Sequence, residues 1–177
     1  PSNHIDVGSS LLGFVTHISC FRKIDVIDIR PTTKKVKNIN FKVMDFMKEP
    51  KNDFINFYDS ISSLHAIEHF GLGRYGDDLD SNGHIKGINN LTKLLKKNGT
   101  LYFSVPIGPQ RIEFNAHRVF SISYLLEIFQ KDFKIISFSY VNDMGELYED
   151  EKLNNEKIKS NFDCNYGVGI FELKKTT

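Results

Sequence analysis

The sequence predicts an α/β fold: a Rossmann-like, doubly wound, mostly parallel seven-stranded sheet with an antiparallel edge hairpin, in a single domain over residues 1–177. Three observations predict it. Short apolar runs alternate with helix-length segments, which is the pattern of a mostly parallel sheet covered on both faces. The last two strands have no convincing helix between them, so they are expected to pair antiparallel at one edge. A chain of 177 residues, 40% of them hydrophobic, is long enough for one sizeable core and too short for two ordinary domains.

Each element has its own signal. His4-Ile5-Asp6-Val7 reads as a strand stopped at Gly8, and Leu11 to Cys20 as a helix on apolar spacing (Leu11, Leu12, Phe14, Val15, Ile18), with Ser9 or Ser10 as its cap. Ile24 to Ile29 is the second strand, ended by Arg30-Pro31; Ile39 to Val43 is the third and Tyr58 to Leu64 the fourth. Residues 70–84 are rich in Gly, Asp and Asn and read as a loop. Ile85 to Lys97 has helical spacing and a stop at Asn98-Gly99, after which Leu101 to Val105 forms the fifth strand. Residues 107–120 read as a polar loop, Ser121 opens a helix that runs to Gln130, and Phe133 to Val141 and Val168 to Leu173 are the final strands. Between those two, residues 142–165 form a polar excursion, expected to be mobile.

Composition narrows the function. With 23 Lys and Arg against 22 Asp and Glu the net charge is +1, so no basic face for nucleic acid is expected. No run approaches the ~18 apolar residues that a membrane span needs. No signal peptide is visible, so the expected compartment is the cytoplasm. Cys20 and Cys164 make neither a disulfide framework nor a metal-ligand pair. The chain passes from Pro1-Ser2-Asn3 straight into a strand, which points to a start partway into a longer protein. Nothing in the sequence fixes the oligomeric state.

In such sheets ligands sit beyond the carboxyl ends of the strands. After the first strand comes Asp6-Val7-Gly8-Ser9-Ser10-Leu11-Leu12-Gly13, a small-residue turn that lets a ligand approach the backbone. About 20 residues on, Asp28-Ile29 closes the second strand, where a carboxylate accepts from both hydroxyls of a ribose. Asp45-Phe46 follows the third strand: the acid suits an exocyclic amine of adenine, and Phe46 or Ile29 suits its ring. After the fourth strand, Leu64-His65-Ala66-Ile67-Glu68-His69 gathers two imidazoles and a carboxylate. His65 and His69 share a helical face, but the His-Glu-x-x-His order is absent and no third ligand is apparent, so no metal is expected.

The glycine turn, the acid some 20 residues on and the cluster after the fourth strand together resemble the class I methyltransferases that use S-adenosylmethionine. Leu64 to His69 is similar to that superfamily's segment after strand four. Leu94 to Pro106, and His117-Arg118-Val119-Phe120-Ser121 with the helix and strand beyond it, match its later layout. The run Ser63 to Asp77 also resembles a smaller methyltransferase-like family catalogued as a domain of unknown function. The resemblance implies S-adenosylmethionine as cofactor. Asp6, Gly8, Ser9 and Ser10 would surround its methionine part, Asp28 would hold its ribose and Asp45 its adenine amine, with Phe46 or Ile29 on the adenine ring; Leu64 and His65 would line it further. It also implies a helix ahead of the first strand, which these residues lack. At the turn only Gly8 matches cleanly, with Ser10 and Leu12 in the places where glycines are usual.

For a hydroxyl acceptor a general base helps, and His69 and His117 are the candidates, with Glu68 to orient either His or to hold a substrate hydroxyl. Arg74, Tyr75, Arg111 and Arg118 would bind an anionic small molecule such as a sugar nucleotide. The expected activity is O-methylation of a small molecule, a sugar of a surface polysaccharide being one such acceptor. Two other readings stand beside it. Gly8 to Gly13 is one substitution from G-x-G-x-x-G, which would make the protein a nicotinamide-dependent oxidoreductase. Alternatively, the domain kept the fold and lost turnover.

Overall fold

The alternation in the first 107 residues builds five parallel strands: β1 (His4–Val7), β2 (Ile24–Asp28), β3 (Ile39–Val43), β4 (Tyr58–Leu64) and β5 (Leu95–Ile107). The structure is a computed structural model and describes residues 3–113 and 115–177; Pro1, Ser2 and Phe114 of the segments discussed above lie outside the described residues. Three further strands, β8 (Phe133–Val141), β9 (Leu147–Tyr148) and β10 (Gly167–Lys175), complete a sheet of order β3-β2-β1-β4-β5-β10-β8-β9. The sheet thus has eight strands instead of seven. The final strand is not at the edge: β10 inserts antiparallel between β5 and β8. The order reverses between β1 and β4, the point at which open α/β sheets leave a crevice.

Most of the core lies on one face. Leu91 and Leu94 of α2 (Gly83–Leu94), and Leu125 and Phe129 of α3 (Ile122–Phe129), pack with Ile5, Ile61, Leu101, Phe103 and Phe171. Ser121 caps α3 as expected, its Oγ accepting from the Tyr124 N–H. The other face carries a smaller cluster of Leu11, Val15, Ile24 and Val26 under α1 (Phe14–Ser19). Farther along that face, Tyr102 and Ile170 are exposed, so cover is less even than the alternation implies.

Four sequence expectations are corrected. First, the helix expected from Leu11 begins only at Phe14. Neither Ser9 nor Ser10 caps it; Gly13, at φ 60°, holds the cap position. The buried side chain of Leu11 pins the preceding residues into the turn. Second, α2 ends at Leu94 and passes directly into β5, so Asn98-Gly99 is no helix stop. The register jumps there, Tyr58 facing Leu95 but Ser60 facing Thr100, and Asn98 (φ 61°) turns the intervening residues out of the ladder. Third, the polar loop 107–120 contains a two-stranded hairpin, β6 (Arg111–Glu113) with β7 (His117–Val119). Fourth, residues 142–165 are folded. There β9 pairs with β8, Asn154 caps α4 (Asn155–Lys159), and Phe162 is buried with its ring centroid 5.1 Å from Phe138 and 4.9 Å from Tyr140. Isolated anchors such as Phe162 and Cys164 have no periodicity, and hydrophobic pattern alone misses them.

Candidate active site

The strand ends surround a cleft of about 620 Å³, open mouth included. Its walls are Val7 and Gly8 at the end of β1, Ile27 to Arg30 at the end of β2, Met44 to Met47 after β3, and His65, Ala66, His69, Phe70, Tyr75 and Asp77 beyond β4. Gly8 is demanded twice. Its φ is +90°, and a Cβ on it would meet the Ala66 Cβ at 2.3 Å. The bare backbone therefore borders the cleft with no side chain in the way.

Asp28, Ile29, Asp45, Phe46 and His65 all line this space. Asp45 accepts from the Met47 N–H at 2.9 Å, which fixes its carboxylate at the head of that loop. Phe46 is buried, with its ring edge-on to Phe70. His65, the residue after β4, has a left-handed conformation, φ 54°, uncommon outside glycine and frequent at working sites. Its Nδ1 lies 3.2 Å from Glu68 Oε1.

Asp6, Ser9, Ser10 and Leu64 are placed differently. Asp6 is fully buried beneath the turn, its Oδ2 accepting from Ser62 Oγ at 2.6 Å and its Oδ1 from the Ser9 N–H at 3.3 Å. Burial pushes the Asp6 carboxyl above the usual carboxylate range. Ser62 in turn meets His4 Nε2 at 3.1 Å, and Ser60 meets His4 Nδ1 at 2.7 Å. Asp6 thus holds the turn in shape and does not line the cleft. Ser10 is exposed, and Leu64 stops short of the walls.

Glu68, His69 and His117 come together. Glu68 is buried, and its Oε2 has no hydrogen-bond partner. His69 Nδ1 lies 2.8 Å from the Ala116 carbonyl, which can only accept, so that nitrogen carries the hydrogen. The lone pair of His69 is then on Nε2, 3.9 Å from Glu68 Oε1. His117 lies edge-on to His69, with centroids 6.0 Å apart, and its buried Nε2 is unpartnered. Burial, then the neighbouring His69, lower the His117 pKa. Among the described residues no group of three His, Cys, Asp or Glu is arranged to hold a metal ion.

The four cations or rings assigned to substrate divide. Tyr75 lines the cleft and packs edge-on to His69 at 5.4 Å; Arg74 lies beside it and donates to the Asn115 carbonyl. Arg118 is a correction. It is buried, and its guanidinium donates to the carbonyls of Glu68, Phe70, Asp80 and Ser81, bracing the segment after β4 from behind. Arg111 is another: it is bound to Glu113, Pro109 and Asn165 on the hairpin, outside the lining. Sequence reasoning also missed a residue. Arg30, read only as a strand stop, enters the cleft. Its Nε donates to Asp28 Oδ1 at 2.9 Å, one terminal nitrogen reaches Asp28 Oδ2 and, at 3.2 Å, the Gly8 carbonyl, and its guanidinium lies 4.8 Å over the Tyr75 ring. Its position two residues after Asp28 was the available signal.

Comparison with known proteins places this geometry. A protein-family model described as "Caenorhabditis protein of unknown function, DUF268" matches residues 22–175. A search of the curated proteins returned no match. Among solved structures, the chain is similar to N-methyltransferase NodS from Bradyrhizobium japonicum WM9 in complex with S-adenosyl-l-homocysteine, at 13% identity over 99% of this chain and 79% of that one, TM-score 0.64. It is similar to 1,6-didemethyltoxoflavin-N1-methyltransferase of Burkholderia thailandensis, which holds 1,6-didemethyltoxoflavin and S-adenosylhomocysteine, at 12% identity over 100% and 72%, TM-score 0.69. The [4+2]-cyclase SpnF matches at 12% identity over 99% and 76%, TM-score 0.67. These likenesses establish the class I methyltransferase fold. The presence of a cyclase among them leaves the reaction to be argued from the site.

Proposed function

The chain belongs to the DUF268 family, and from its fold and its cleft we propose that it is an S-adenosylmethionine-dependent methyltransferase acting on a small hydroxylated molecule, a sugar or sugar nucleotide being the class that fits best. One observation carries the reading. A glycine that tolerates no Cβ, a buried carboxylate at the end of β2, and an Asp-Phe pair after β3 border one cleft at the switch point of the sheet. That set suits a nucleoside: Asp28 for ribose hydroxyls, Asp45 for an exocyclic amine, Ile29 and Phe46 for the ring faces. Two neighbours of the same fold hold S-adenosylhomocysteine in their crystals, which supports this cofactor.

When bound, S-adenosylmethionine supplies a methyl group on a sulfonium, open to in-line displacement. The chain aligns the acceptor and removes its proton. His69 Nε2 is the base the geometry favours, because its tautomer is set by the Ala116 carbonyl. A proton gained at Nε2 faces Glu68, whose carboxylate stabilises the imidazolium. As the acceptor hydroxyl is methylated, His69 Nε2 would take up its proton, which then rests on the imidazole. Arg74 and Tyr75 stand on the acceptor side.

The nicotinamide reading is weaker, because α1 starts only at Phe14 and spans six residues, so no helix opens at the turn to receive a pyrophosphate. Calorimetry with S-adenosylmethionine, S-adenosylhomocysteine and NAD tests the assignment. Binding of the first two and not the third is expected. Binding of NAD alone would support the dehydrogenase reading, and binding of none would leave a domain that kept the fold without the activity.

A further inference from the structure

We propose that Arg30 anchors the α-carboxylate of the bound cofactor, and that in the empty cleft Asp28 holds it in reserve. The inference rests on the nucleoside reading above and extends it to a residue that nothing else assigns. Among the described residues lining the cleft, Arg30 is the only Lys or Arg, against three carboxylates, Asp28, Asp45 and Asp77. Lys48 approaches Asp45 at 3.7 Å but is not part of the lining. A ligand that combines a nucleoside with an amino acid brings one carboxylate into this acidic space. Without a cation there, that charge would face like charges and lose its hydration uncompensated.

Arg30 already spans the two places concerned. Its guanidinium grips Asp28, where ribose hydroxyls are expected, and donates to the Gly8 carbonyl, over which the rest of such a ligand must pass. Ribose hydroxyls arriving at Asp28 compete for the oxygens that Arg30 now occupies. The Arg30 side chain is 43% exposed, and ion pairs with one partner so open are weak, so the exchange is feasible. The freed fork matches a carboxylate with two parallel hydrogen bonds. The Tyr75 face, 4.8 Å beneath, keeps the guanidinium at the cleft while its partner changes. The chain thus uses one ion pair twice: internally when empty, across the interface when loaded.

Two ligands separate this from the alternatives. S-Adenosylhomocysteine carries the carboxylate; 5′-methylthioadenosine has the same nucleoside and thioether without it. Calorimetry on the full chain is expected to show the first bound at least about tenfold more tightly by wild type. In Arg30→Ala that preference should collapse, with methylthioadenosine bound as well as before or a few-fold better, since Asp28 is released. Arg30→Lys should keep part of the preference through its charge. Retained methylthioadenosine binding also shows that the variant is folded. If Arg30→Ala binds S-adenosylhomocysteine as tightly as wild type or more so, Arg30 is only a plug on Asp28 and the proposal is overturned. If wild type binds neither ligand, the nucleoside reading itself fails and takes the anchor with it.

Discussion

Asp28→Asn keeps the shape of the side chain and removes the charge that holds Arg30 and that, on the proposed reading, accepts from a ribose. We expect S-adenosylhomocysteine affinity to fall about 10- to 100-fold, as for loss of hydrogen bonds to a charged acceptor, with little change in fold; calorimetry reads it. At the chemical end, His69→Ala should lower turnover by about 10²- to 10⁴-fold while leaving cofactor affinity near wild type. His117→Ala should cost less, because its ring is not in the cleft wall and its Nε2 is buried. Full turnover by His69→Ala would remove the base assignment. The sequence made Asp28, Asp45 and His65 legible because each follows a strand whose end is readable from its own residues. It hid Arg30 and Arg118, whose roles depend on carbonyls and rings that lie far away along the chain: Gly8 for the first, Glu68 to Ser81 for the second.

Elements were legible where polar residues bound an apolar run on both sides. Strands β3, β4 and β8 have the limits read from sequence, Ile39–Val43, Tyr58–Leu64 and Phe133–Val141. The readings failed where a strong local signal met a stronger tertiary one. Asn98-Gly99 looks like a helix stop, yet pairing of β5 with β4 begins before it. The turn after β1 offers a direct test of such constraint. Gly8→Ala meets both an adverse φ of +90° and the Ala66 Cβ, and should destabilise the protein by about 2–4 kcal/mol in urea unfolding. Adding Ala66→Gly should restore only the part due to the collision. The segment after β4 is a second case. Arg118→Ala leaves the carbonyls of residues 68–81 without their brace, so amide exchange in that segment should rise while the β10 amides stay protected.

At the scale of the whole molecule, proton binding couples to folding at two buried histidines. Burial lowers both His4 and His84 from 6.5 to about 4. Above pH 6.5 both are neutral whether the chain is folded or not. As pH falls from about 6.5 to 4 the unfolded chain takes up protons that the folded chain refuses, so stability drops, by up to about 3 kcal/mol for each. The raised carboxyl of Asp6 acts in the opposite sense, protonating first in the folded state, and offsets part of the loss. Urea midpoints at pH 7 and pH 5 should show the decline, and His84→Gln should flatten it. Ligand linkage supplies another readout. S-Adenosylhomocysteine at 100 times its Kd should add about 2.7 kcal/mol and raise Tm by about 5–10 °C, whereas NAD should leave Tm unmoved. The placement of β10 reaches further, into biosynthesis. Residues 167–175 are the seam between β5 and β8, so the parallel half and the β8–β9 ribbon share no ladder until that stretch has left the ribosome. Until then two bare strand edges await one short segment, and the nascent chain is most exposed to mispairing, and most in need of a chaperone, in the interval between the synthesis of β8 and that of β10.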